Sequence, residues 1–172
     1  MSIKVSFLCI LLSVLLNSSV GNLKLYSING EEQNIEEGTQ YMIMCYDTFC
    51  CHDCVIELIS YCSKICSDNE DIQFVSLIKG ADKMTMRNIE SALKQYFVGK
   101  DTPTIYYDLN PNKRKRIFNR YKISSFPALV VINKSGKHKY YSCKSLFNGK
   151  EFQDGISVKT IGKINSFLGL YI

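Results

Sequence analysis

Three thiols, an imidazole and a carboxylate stand side by side in Cys50-Cys51-His52-Asp53-Cys54. Cys51 and Cys54 are three residues apart, a spacing suited to dithiol–disulfide exchange when both lie on one helical turn. The flanking residues supply that turn. Tyr41-Met42-Ile43-Met44-Cys45 is a short apolar run fit for a buried strand. Beyond the motif, Val55, Ile56, Leu58, Ile59, Cys62 and Ile65 recur at helical spacing, predicting a helix from about His52 to Cys66. The pair therefore falls at a strand-to-helix junction, where the partial positive charge of a helix N-terminus favours a thiolate. A second signal, Ser125-Phe126-Pro127, stands before the apolar run Ala128-Leu129-Val130-Val131-Ile132, expected to be a central strand.

The elements that must hold these residues follow from pattern. Leu23 to Ile28 alternates, and Asn29-Gly30 predicts a two-residue hairpin turn whose returning arm, Glu31 to Ile35, is a polar edge. Ile72 to Ile78 is mostly apolar and suits a strand buried on both faces of a parallel sheet. Asp82 to Val98 has a helical pattern in which Met84, Ile89, Leu93 and Tyr96 or Phe97 share a face. Thr104 to Tyr107 is a short strand, and Lys113 to Tyr121 a basic helix packing through Ile117, Phe118 and Tyr121. Lys139 to Cys143 returns as an antiparallel strand. A closing helix from about Ser157 to Leu168 has Val158, Ile161, Ile164 and Leu168 on one face. The order β-β-β-α-β-α-β-α-β-β-α describes one α/β domain with a mixed sheet.

Composition agrees with a folded domain: hydrophobic residues are 46% and charged residues 22% of the 172, which excludes a disordered chain. The formal charge of +5 is modest and dispersed, so it does not single out nucleic acid, and Lys113-Arg114-Lys115-Arg116 reads as a solvated helix face. At the N-terminus, Lys4 precedes a nearly unbroken apolar run from Val5 to Leu16 and the small residues Asn17 to Gly21. This predicts a signal peptide over residues 1–21, a mature domain over 22–172, and export to the periplasm or cell envelope, with a retained anchor as the competing reading. Setting Cys9 aside leaves seven cysteines, an odd number for an oxidising compartment.

From about Leu23 to Tyr141 the chain resembles the thioredoxin superfamily, and most closely its exported TlpA/ResA-type thiol-disulfide oxidoreductases. The matching features are the hairpin Leu23-Lys24-Leu25-Tyr26-Ser27-Ile28-Asn29-Gly30, the strand leading into Cys51-His52-Asp53-Cys54, an inserted α/β segment over about Asp71 to Tyr107, and Arg120 to Leu129 with its Phe126-Pro127. The resemblance implies a thioredoxin fold, with a central mixed sheet flanked by helices. It implies Cys51 as nucleophile, Cys54 as resolving thiol, a redox-active Cys51–Cys54 disulfide with no other cofactor, and Pro127 as a cis-proline facing the pair. It also implies that Glu57 tunes the thiols or relays a proton, with a solvated glutamate as the alternative. Implied partners are protein thiols or disulfides and a redox partner, membrane-bound in some relatives. The chain departs from the family in lacking the Trp usual before the first cysteine; Cys50 occupies that place. A protonated His52 and the Asp53 carboxylate pull the redox poise in opposite directions.

Cys50 opens two rival alignments. Counted from it, the motif resembles the Cys-x3-Cys of Sco-type copper proteins, with Cys50, Cys54 and His138 as the metal ligands. Thr48-Phe49-Cys50-Cys51 also fits part of the peroxiredoxin motif, with Met44 where that family has Pro. A thioredoxin-like binding module is a third alternative. Cys45, Cys62 and Cys66 read as core residues, and Cys143, near the sheet edge, as a thiol able to bridge to another cysteine that the sequence does not identify.

Overall fold

The computed structural model describes residues 23–80, 83–96, 104–108, 116–147 and 155–170. Its elements are β1 (Leu23–Ser27), β2 (Glu32–Ile35), β3 (Gln40–Tyr46), α1 (His52–Asp68), β4 (Ile72–Ile78), α2 (Lys83–Tyr96), β5 (Ile105–Tyr107), α3 (Ile117–Arg120), β6 (Ala128–Ile132), β7 (His138–Tyr141), α4 (Cys143–Leu146) and α5 (Val158–Leu168). The seven strands form one mixed sheet in the order β2-β1-β5-β4-β3-β6-β7. β4 runs parallel to both β3 and β5, as its continuous apolar character requires. β6 runs antiparallel to β3 and β7, while β1 and β2 form the N-terminal hairpin, with polar β2 at the edge.

Side-chain alternation along β3 divides the interior in two. Met42, Met44 and Tyr46 face a core shared with Leu58, Ile59 and Cys62 of α1, and with α2 and α5. Tyr41, Ile43 and Cys45 face the other core, with Ile117 and Phe118 of α3 and with Ala128, Val130 and Ile132 of β6. Leu58 and Ile59 are fully buried, and burying side chains of that size is worth about 1.5–3 kcal/mol each. These contacts fix α1, the helix that carries the cysteine pair, across the sheet. Asp53 in its first turn complements the positive end of the helix dipole, and Asn69 Nδ2 donates to the Ile65 carbonyl (2.8 Å) at its other end.

Several expectations are corrected in detail. The hairpin turn has three residues, Ile28–Gly30, because Tyr26 pairs with Glu32 and Ser27 N donates to Glu31 O (2.9 Å). Gly30 takes the left-handed φ of 85° that closes such a loop. On α2 the buried face carries Met86 and Leu93, whereas Met84 is 72% exposed. On α5 Val158 is exposed, and Thr160, Ile164, Asn165 and Leu168 face inward. β6 is buried at all five residues yet lies next to the edge strand β7 rather than at the sheet centre. β7 ends at Tyr141, and Cys143 opens the short α4, capped by Ser142, whose Oγ accepts from Ser145 N (3.3 Å). The apolar N-terminal stretch expected as a signal peptide, the basic run 113–115 and Phe97 lie outside the described residues. Among the described residues no helix is long and apolar enough to cross a membrane.

Candidate active site

β3 ends at Tyr46, and a five-residue loop delivers the chain to the start of α1. The loop is braced by Asp47. Its Oδ1 accepts from Phe49 N (3.1 Å) and from the Cys50 thiol (3.3 Å), and its backbone N–H donates to Cys50 Sγ (3.3 Å). Cys50 is thereby turned back into the fold, half-buried beside Tyr46, Val55 and Leu93 in a small cavity of ≈ 90 Å³. Burial there, with the Asp47 carboxylate adding to it, pushes the Cys50 thiol up to about 12. Cys50 is therefore a protonated packing thiol held by a carboxylate.

Cys51 points the other way. It is the N-cap residue of α1, exposed, with no side-chain capping bond, and its carbonyl accepts from Val55 N (3.1 Å). Its sulfur thus stands at the positive end of a 17-residue helix. Cys54 lies one turn in and is 2% exposed. Burial pushes the Cys54 thiol up to about 12, reinforced by the neighbouring Cys51 and by Cys143 and Asp53. Cys54 therefore keeps its proton. An exposed sulfur at a helix start backed by a buried protonated thiol is the arrangement needed for attack followed by resolution.

The Phe126–Pro127 peptide bond is cis, and Pro127 is buried. Cys45 pairs with Ala128 across β3 and β6, so continuing that register sets Pro127 opposite Tyr46, at the sheet end where the cysteine loop begins. The approach to Pro127 is held from three elements. The Phe126 ring packs against Phe118 (centroids 5.8 Å apart) and under Lys79 Nζ (5.0 Å), while Ser125 Oγ and Tyr140 OH are hydrogen-bonded (3.1 Å).

Glu57 is exposed on α1, one turn beyond Cys54, with its carboxylate against Gly155. Gly155 has φ +70°, and a Cβ there would meet Glu57 Oε1 at 3.0 Å. His138, by contrast, is not brought to the cysteines. It pairs with Ile132 at the far end of β6, and its ring packs on Tyr121 (4.6 Å), so the ligand set Cys50, Cys54 and His138 is split between opposite ends of the sheet.

Two site residues escaped the sequence reading. Phe49 is 93% exposed in the loop, two residues before Cys51. Cys143, expected only near the sheet edge, acts electrostatically on Cys50 and Cys54 and is itself acted on by Cys51. No local pattern marks it, because β7 ends at Tyr141 and Cys143 opens α4.

The sequence matches no protein-family profile and no curated protein. Solved structures do match. DsbF of MTB, in mixed oxidised and reduced forms, aligns with a TM-score of 0.60 at 12% identity, over 87% of this chain and 96% of that one. A secreted Mycobacterium tuberculosis disulfide oxidoreductase homologous to E. coli DsbE gives 0.56 at 17%, over 86% and 96%. A putative thiol-disulfide oxidoreductase from Bacteroides vulgatus gives 0.56 at 21%, over 89% and 90%. This chain has the same α/β fold, that of thioredoxin.

Proposed function

We propose that this thioredoxin-fold protein is a thiol-disulfide oxidoreductase that exchanges disulfides with exported protein substrates through Cys51 and Cys54. The observation that carries the reading is the contrast between the two thiols: Cys51 exposed at the head of α1, Cys54 buried one turn in with its thiol raised by that burial. The Cys51 thiolate attacks one sulfur of a substrate disulfide, forming a mixed disulfide and expelling the other substrate sulfur as a thiolate. Cys54 then attacks Cys51 Sγ, the second substrate sulfur leaves, and a Cys51–Cys54 disulfide remains. A dithiol partner resets it, and the same steps run backwards oxidise a substrate dithiol. The redox-active disulfide is the only prosthetic element the reaction requires.

Pro127 forms the wall beside the pair, and the backbone next to it pairs with an extended substrate segment; its position opposite Tyr46 supports this role. Phe49 offers that segment an apolar contact beside the nucleophile. Glu57, one turn past Cys54, takes the proton that Cys54 gives up. Export is supported by the apolar N-terminal stretch and by a neighbour described as secreted. The copper-site reading loses its support with His138 remote from the cysteines, and Phe126-Pro127 at the site favours exchange over the peroxidase reading.

Purified protein should reduce a small-molecule disulfide catalytically in the presence of a dithiol, and Cys51→Ser should abolish turnover. Wild-type turnover no faster than that of Cys51→Ser would reject the reading.

A further inference from the structure

A third thiol shares this site, and the two-cysteine cycle leaves it unused. Tyr141 pairs with Leu129, the second residue of β6, and the chain leaves the sheet there, at the Pro127 end of β6, with Cys143 two residues on as the first residue of α4. Pro127 in turn stands opposite Tyr46, the residue from which the cysteine loop departs. One side of the sheet holds α1 and Cys54, and both Cys50 and Cys143 pack against its core. Strand end and packing together put Cys143 on the Cys54 side of the sheet, at the Pro127 end where the cysteine loop begins. The mutual influence of Cys143 with Cys50, Cys51 and Cys54 agrees with that placement.

We propose, resting on the disulfide-exchange reading above, that Cys143 is a second resolving thiol, able to close a Cys51–Cys143 disulfide in place of Cys51–Cys54. The step balances without an external oxidant. With Cys51 joined to a substrate sulfur, the Cys143 thiolate attacks Cys51 Sγ, and the Cys51–substrate bond breaks. The substrate sulfur leaves with the bonding pair and takes up a proton, and Cys51 and Cys143 are oxidised together as the substrate disulfide is reduced. Chemistry favours the competition. Cys54 is 2% exposed with its thiol pushed up to about 12, and Cys143 is half-buried with burial and Cys51 raising its thiol. A resolving step needs a thiolate, so both must give up a proton before attack and neither has the step to itself. The site thus has two exits from one mixed disulfide.

The test uses full-length protein in which Cys51 carries 5-thio-2-nitrobenzoate as a mixed disulfide. Cys54→Ser should still release the chromophore in a first-order process independent of protein concentration, at least about tenfold faster than Cys54→Ser/Cys143→Ser, as expected for an intramolecular attack. Peptide mapping of the product should show Cys51 joined to Cys143. The Cys54→Ala and Cys54→Ala/Cys143→Ala pair repeats the comparison should either serine variant fail to fold. Equal release from single and double variants overturns the proposal, and so does a product disulfide joining Cys51 to Cys50 or any other cysteine. Stoichiometric loading of Cys51, together with catalytic turnover by the wild type, reports separately on the exchange reading. Failure of the Cys143 step alone leaves that reading standing.

Discussion

The buried thiol sets a rate that can be worked out from its surroundings. Cys54 is pushed up to about 12, first by burial, then by the neighbouring Cys51, then by Cys143 and Asp53. A thiol with that value is ionised to about one part in 10⁵ at pH 7. Once Cys51 is tied in a mixed disulfide its charge is gone, and in a Cys143→Ala background the third sulfur is gone too. Burial and Asp53 remain, so the value falls from about 12 toward the ordinary 9.0 without reaching it. Release of 5-thio-2-nitrobenzoate from Cys51 in that background should therefore rise about tenfold per pH unit from about pH 6 to about pH 8.5, tracking the Cys54 thiolate. Stopped-flow absorbance measures the release directly, and a Cys54→Ala control should remain slow throughout. A rate that levels off below about pH 8 would mean that Cys54 is already ionised, and burial would then not govern it.

Three further outcomes follow from the same geometry. Cys50→Ser keeps a donor for Asp47 and should leave steady-state turnover within about twofold of wild type, a change under 0.5 kcal/mol; loss of turnover would move the nucleophile from Cys51 to Cys50. Thiols raised by burial stabilise the fold fully below their unfolded value of 9.0 and lose that contribution as pH climbs through their higher folded values. The thermal midpoint should accordingly hold between about pH 7 and 9 and fall beyond, with Cys45, Cys54 and Cys62 as the groups responsible; a midpoint flat to about pH 10.5 would contradict this. Leu58→Ala removes a fully buried side chain where α1 meets the sheet and should cost about 2–5 kcal/mol in urea unfolding, whereas a loss under about 1 kcal/mol would show that α1 is not anchored there.

How much of this was legible beforehand depended on whether one physical signal stood alone. β4 was read with its boundaries intact, because seven nearly apolar residues between polar breaks admit few alternatives. The cis bond at Pro127 came from a motif rather than from periodicity. The inward face of α2 was misread because Met84 and Met86 are chemically alike, and only packing against β3 and α1 decides which is buried. Cys50 and Cys51 are identical in the sequence, yet Asp47 turns one inward and the helix start leaves the other exposed. Cys143 lay beyond reach because its place depends on a β6–β7 register that no local pattern encodes, and on a serine cap that ends the strand early.

The glycine at 155 links chain segments that are far apart in sequence. Its missing Cβ is the space into which the Glu57 carboxylate leans, and its left-handed backbone leads into the helix that closes the domain. Substituting alanine would strain the backbone by about 1–2 kcal/mol and push the carboxylate aside, although a flexible glutamate can swing clear of the added methyl. The run into the closing helix and the α1 side chain one turn past Cys54 thus meet at a single glycine, so a bulkier residue at 155 is felt first at Glu57.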